Sequence, residues 1–347
     1  MHNIYNSKKS LVITGAGFSK AAGLPLDNQI MAEIFSRFSK IEPRAVKYLE
    51  KFAQGNLNIV DIRNSSIEEI LTKLQVLEYY SRNIHKNDIA EFKLIVLKFL
   101  SDLLKIEIAN LPAEYGDFMN LFHAKSIFAT FNYDYLFETI CNNLKINWTY
   151  LPDSTTETNS FGSEEYFQNF CFDDFINFEE GDRTPVPYLK LHGSYNWQIC
   201  WNCKKIRMIP GANAGMSTIS KYLIGHRFIN CMEPECVKED SASPLMSPLI
   251  IPPTLIKFYN FKYIRSIWTL FQMSLLNIER VIIIGSSLRD EDLLLLNSLS
   301  CLNIKNKSIK ELIFINPNIE LKSKIADLSD MKISHYSHLK NYLAQKK

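Results

Sequence analysis

The chain has 347 residues, of which 46% are apolar and 22% charged, and its formal net charge is +2. That length and composition admit one large domain or two ordinary ones and exclude global disorder. The lysines are spread along the chain, so nothing in the charge balance indicates a nucleic acid or an anionic membrane as partner.

Residues 11–14 (LVIT) read as a short buried strand that runs into the turn Gly15-Ala16-Gly17. The apolar run after Lys8 and Lys9 is far too short for a secretory h-region. Ile30, Met31, Ile34, Phe35 and Phe38 then recur at helical spacing. A second helix is predicted over 67–79, where Ser66 and Glu69 make a capping box. Residues 89–108 predict a third. Lys93, Lys98, Asp102 and Lys105 interrupt it, which suits an amphipathic or buried helix better than a membrane span. The region from about 28 to 122 is thus expected to be helical, with a break at Gly55 and Asn56.

After it the pattern changes to β/α alternation. A strand at 126–131 is followed by a helix over about 134–143, and 153–165, rich in Ser, Thr and Glu, reads as a surface loop. Further strands are expected at 186–191, 249–251, 281–284 and 311–315. Helices are expected over about 261–276 and from Asp290 to about residue 299. Continuous apolar strands alternating with helices predict a parallel sheet covered on both faces. The expected architecture is one α/β domain, 1–347, with a Rossmann-like doubly wound parallel sheet. A helical insertion at 28–122 and a small module at 198–245 lie within it.

A buried strand, a Gly-x-Gly turn and a helix form either a phosphate-binding arrangement or simply a tight strand-to-helix turn. Lys20 stands where a dinucleotide fingerprint has its third glycine, and no Gly-Lys-Ser/Thr follows as in a Walker loop. The same theme recurs, however. Asn132-Tyr133-Asp134, His192-Gly193-Ser194, Gly285-Ser286-Ser287 and Asn316-Pro317-Asn318 each end a predicted strand. In a doubly wound sheet such ends converge on one crevice, so five small or polar strand ends point to a ligand there. Each has a plainer reading: His192 as a satisfied core histidine, Asp134 as a helix cap, and Asp290 and Asp292 as caps of the helix they open.

Seven cysteines and no targeting segment fit a reducing cytoplasm, where cysteines more often bind metal than pair. Cys200 and Cys203, then Cys231 and Cys236, form two close pairs 27 residues apart. Each spacing lets two thiolates reach one ion, and four sulfurs satisfy tetrahedral zinc. Cys141, Cys171 and Cys301 read as core or incidental thiols.

Taken together, GAGFS at 15–19, AAGLPL at 21–26, TFNYD at 130–134, LHGS at 191–194, the cysteine pairs and GSSL at 285–288 resemble the sirtuin family in content and order. The resemblance covers roughly 8–27 and 125–340. It implies an NAD-binding fold in which Gly15, Ala16, Gly17 and Ser19 line the NAD phosphates. Asn132 and Asp134 would position the nicotinamide ribose and nicotinamide, His192 would be the catalytic histidine, and Asn132 and His192 together the chemical centre. Gly285, Ser286 and Asn316 would contact the adenosine end. The cysteines sit where sirtuins carry one structural zinc, which some members have lost.

Departures matter as well. Phe131 replaces the deacylase glutamine, Leu26-Asp27-Asn28 replaces the Phe-Arg after the proline, and PLIIPPT at 248–254 stands where the acyl-lysine clamp would be. These changes resemble the bacterial branch that hydrolyses NAD as an antiphage effector. That branch implies a regulated cytoplasmic NADase, acting as a homo-oligomer or with a co-encoded defence protein, and 28–122 is the natural place for such contacts. Two alternatives stand beside it: an NAD-dependent protein deacylase, and a non-catalytic module that binds NAD or ADP-ribose.

Overall fold

The computed structural model describes residues 9–80, 86–104, 106, 108, 111–150, 160–161, 185–200, 203, 205–208, 231, 233–234, 236, 246–251, 262–276, 278–289, 292–300, 309–326 and 332–346. The chain divides into two compact units. One, the sheet unit, comprises Met1–Ala22, Ile106–Gly193 and Leu255–Lys347; the other comprises Gly23–Lys105 and Ser194–Thr254.

In the sheet unit, β1 (Ser10–Thr14), β2 (Ser126–Thr130), β3 (Trp148–Tyr150), β5 (Val186–Lys190), β9 (Arg280–Ile284), β10 (Glu311–Ile315) and β11 (Ile333–Tyr336) form a seven-stranded sheet. Its order is β11-β10-β9-β1-β2-β5-β3, and every pairing is parallel. Every residue of β1, β2 and β5 is buried, as are the last four of β9 and β10. This is why these strands are continuous apolar runs rather than alternating ones: helices cover both faces, as in other all-parallel sheets. The flanking helices are α1 (Ala16–Lys20), α6 (Ala113–Phe122), α7 (Leu136–Asn143), α8 (Lys262–Ser274), α9 (Leu293–Ser300), α10 (Leu321–Ala326) and α11 (Leu339–Ala344). The chain runs outward from β1 on one side through β2 and β5, and on the other through β9, β10 and β11. The fold is therefore α/β and doubly wound, with its switch point between β1 and β9.

The second unit holds α2 (Asp27–Phe38), α3 (Pro43–Asn56), α4 (Ile67–Tyr80) and α5 (Lys86–Leu103). Its core includes the apolar face that the spacing predicts for α2, together with a face of α5. Ile30, Met31, Ile34, Phe35 and Phe38 of α2 are buried, and so are Phe92, Val96, Phe99 and Leu103 of α5. Phe38 stacks on Phe99 with centroids 4.3 Å apart, and Phe52 of α3 packs on Phe92 at 4.7 Å. Pro43 opens α3 at a position whose N–H has no helical acceptor, and Glu69 N–H caps onto Ser66 Oγ at 3.0 Å before α4.

Two expectations are corrected here. Gly55 and Asn56 complete the last turn of α3, and the break follows them. It comes at Asn58, whose φ of 51° is a left-handed conformation that asparagine tolerates better than most residues. The apolar segment 249–251 is not part of the parallel sheet. Met246–Ile250 is β8, which pairs with β6 (Gly193–Cys200), itself antiparallel to β7 (Ile206–Met208). Most of the predicted loop 153–165 lies outside the described residues, although Ser160–Phe161 forms a short strand, β4. Cys171, Cys301, Asp290 and residues 252–254 also lie outside them. No helix among the described residues is long and apolar enough to cross a membrane.

Candidate functional site

The five strands with polar ends are five neighbours, β10-β9-β1-β2-β5, and because they are parallel their carboxyl ends share one edge. A staircase of backbone bonds holds the turns level. Asn316 N–H donates to Tyr336 O at 2.9 Å, Gly285 to Ile315 at 2.9 Å, Gly15 to Ile284 at 2.9 Å, Phe131 to Thr14 at 3.0 Å and Leu191 to Thr130 at 2.9 Å. At about 4.8 Å between strands, this edge spans roughly 19 Å across the switch point, where doubly wound sheets bind dinucleotides.

The two glycine turns interlock. Gly17 N–H donates to Gly285 O at 2.8 Å. A Cβ on Gly15 would lie 2.7 Å from Ser286 Cα, and one on Gly285 would lie 2.3 Å from Phe18 N. Gly285 also has a φ of 64°, in the left-handed region. The amides of Gly15 and Gly17 are thus engaged within the protein. What these glycines provide is turn-to-turn packing and a backbone surface free of side chains. Asn316 braces the same corner, its Nδ2 donating to Ser286 O at 2.9 Å.

Asn132, Ser19 and Asp134 form one hydrogen-bonded chain. Asn132 Nδ2 donates to Gly15 O at 3.0 Å and to Ser19 Oγ at 2.8 Å, and Ser19 Oγ donates to Asp134 Oδ2 at 2.7 Å. Both amide hydrogens of Asn132 are thereby engaged, so what this side chain offers a ligand is the acceptor Oδ1. Asp134 Oδ1 also accepts the Leu136 N–H at 2.9 Å at the start of α7, as its reading as a helix cap expects.

His192 is only 2% exposed. Phe131 meets its ring edge-on with centroids 4.9 Å apart, and Trp268 and Tyr133 lie at 6.4 Å. Trp268 is fixed by its Nε1–H donating to Leu191 O at 3.1 Å. Asp292 Oδ1 stands 3.4 Å from His192 Nε2. Asp292 reads as a cap in sequence, and the fold turns its carboxylate toward the histidine. Lys190 and Glu138, wholly buried and 3.1 Å apart, also belong to this edge. Neither is distinguishable in sequence from a solvent-facing residue, because only the packing of α7 on β5 brings them together.

In the other unit, Cys200, Cys203, Cys231 and Cys236 converge, with all four Sγ atoms within 4.8 Å of one another. Cys200 and Cys236 sulfurs are 3.7 Å apart, and those of Cys203 and Cys231 3.5 Å. A disulfide needs about 2.05 Å, whereas sulfurs about 2.3 Å from a tetrahedral zinc stand about 3.8 Å apart. The cluster therefore fits zinc. Cys200 N–H donates to Lys205 O at 2.9 Å and Cys236 N–H to Glu233 O at 2.8 Å, giving each sulfur a tight turn. Burial pushes the Cys203 and Cys231 thiols above their ordinary range, so a bound cation is what would hold them as thiolates.

No family model matches the sequence, and no curated protein matches it. Among solved structures the chain is similar to one titled "Sir2 bound to acetylated peptide". The likeness has a TM-score of 0.41 at 12% identity and covers 99% of this chain and 93% of that one.

Proposed function

We propose that the chain consumes NAD, hydrolysing it to ADP-ribose and nicotinamide. One observation carries this reading: five adjacent parallel strands deliver Asn316, Gly285, Gly15, Asn132 and His192 to a single edge spanning the switch point. In this reading Gly15, Ala16, Gly17 and Ser19 border the diphosphate, Gly285, Ser286 and Asn316 the adenosine end, and Asp134 the nicotinamide end.

The chemistry asks for positioning more than for covalent help. The nicotinamide–ribose bond breaks with its electron pair going to the cationic ring, and nicotinamide leaves neutral. Water adds to the ribose carbon of an oxocarbenium-like transition state and loses a proton. Asn132 Oδ1 accepts from the ribose hydroxyl or the water, and His192 takes the proton. Asp292, 3.4 Å away, balances the imidazolium that results. Four cysteine ligands would leave zinc no open position, so its role is to hold the module together.

The departures at Phe131, at 26–28 and at 248–254 support hydrolysis over deacylation. They also support the use of that activity in antiphage defence by NAD depletion, restrained by self-assembly or by a co-encoded protein. The deep burial of His192 favours a second reading, binding of NAD or ADP-ribose without turnover.

NAD consumption by the purified chain, with and without the proteins encoded beside it, decides between the two. Turnover abolished by Asn132→Ala or His192→Ala establishes the hydrolase. Binding with no turnover under any condition replaces it with the binding module, and nicotinamide release that depends on acyl-lysine would identify a deacylase.

A further inference from the structure

The Lys190–Glu138 pair is a poor source of stability, because desolvating two ions offsets their attraction. Glu138 shows the penalty. Burial pushes its carboxyl above the ordinary range, Lys190 pulls it back, and its Oε2 has no hydrogen-bond partner. Its Oε1 accepts from Tyr150 O–H at 2.7 Å as well as from Lys190. Such a pair needs a reason other than stability.

The reason lies at the other bond of Lys190. Its Nζ donates to the backbone carbonyl of Asp134 at 2.5 Å, in the loop that carries Asn132 and Asp134. Lys190 itself ends β5, two residues before His192. One side chain thus ties the loop bearing Asn132 to the strand that delivers His192. The rings of Tyr135 and Tyr188, with centroids 5.3 and 5.8 Å from Nζ, enclose it.

We propose that Lys190 is a positioning residue: its Nζ, balanced by Glu138, clamps the Asp134 carbonyl and holds loop 131–134 in place at the sheet edge. The catalytic consequence rests on the NAD-consuming reading, whereas the loop restraint does not.

The test compares the full chain with Lys190→Met/Glu138→Gln and with Glu138→Gln alone. The double variant removes the clamp without stranding a charge, because the new glutamine still accepts from Tyr150. The single variant keeps the Lys190 donor. Hydrogen exchange, read by mass spectrometry on peptides covering 130–136, is expected to rise about tenfold or more in the double variant and clearly less in the single one, which loses the balancing charge but keeps the donor. Exchange in β1 and β9 should hold in both. Where the wild type turns over NAD, kcat of the double variant should fall about tenfold to a hundredfold, with KM little changed. A folded double variant whose loop exchanges like wild type overturns the proposal. So does a rise of about tenfold or more in Glu138→Gln, where the lysine that makes the clamp remains; that outcome overturns the proposal even if the double variant does not fold. Because exchange is read without substrate, a wild type that ignores NAD removes the hydrolase reading and leaves this test intact.

Discussion

The two units differ in where buried charges gather. In the sheet unit Asp134, Glu138, Lys190, His192 and Asp292 are all buried at or beside one edge. In the helical part of the other unit, Arg37–Glu33, Arg63–Glu50 and Lys73–Glu69 face solvent, Lys98–Glu42 is half-buried, and Asp27 is buried. Solvated pairs contribute little and cost little, whereas buried charges are expensive and persist where geometry must be held. The helical block is accordingly a structure of apolar faces, and the sheet edge is a structure of positioned polar groups.

The sharpest way to break this contrast is at the edge itself. Where the chain turns over NAD, Asn132→Ala and His192→Ala are expected to lower that turnover by about 10²–10⁴-fold in variants that remain folded at the assay temperature. A loss of activity that merely follows a loss of folding would make both residues structural.

Next comes the glycine interlock. Gly285→Ala combines a left-handed φ with a backbone clash and is expected to destabilise by about 3 kcal/mol or more. Gly23→Ala, in the other unit, has a φ of 86° but open space around it, and should cost only about 1 kcal/mol. Denaturant unfolding measures both, and equal effects would sink the idea that turn-to-turn packing distinguishes the edge.

Within the helical block the contrast runs between core and surface. Phe99→Ala, wholly buried and stacked on Phe38, should cost about 3–5 kcal/mol. Removing the Arg37–Glu33 pair should cost less than about 0.5 kcal/mol. For the cysteine cluster, elemental analysis should find stoichiometric zinc. A strong chelator, or Cys200→Ser, should then lower the melting temperature. A metal-free chain with an unchanged melting temperature would rule out a structural metal.

A small effect at neutral pH is expected at Tyr342, whose hydroxyl is buried without a hydrogen-bond partner. Burial pushes this phenol from 10.0 to about 12. Because the folded value is the higher one, its contribution to stability is complete below pH 10 and lost as pH rises through about 12. Tyr342→Phe should leave stability at pH 7 within about 1 kcal/mol and flatten the decline above pH 10. Urea unfolding as a function of pH would reveal an unchanged slope if another group were responsible.

Sequence alone determined the strands LVIT, VIII and ELIFI, the apolar face of α2, the presence of helices at α4 and α5, the strand ends at 15, 132, 192, 285 and 316, and the two cysteine pairs. Each is a local signal: an apolar run, a 3.6-residue period, a small or polar residue after a strand, or a short spacing between thiols. Only the tertiary structure decided that the five ends are neighbours on one edge, because sheet order does not follow from strand order along the chain. It alone committed the Gly15 and Gly17 amides to neighbouring backbone, moved 246–250 into a different sheet, and carried α3 through Gly55. It also brought Lys190 to Glu138 and Asp292 to His192, across 52 and 100 positions of sequence. A buried charge and an exposed one are the same letter, and the difference between them is set by what packs against them.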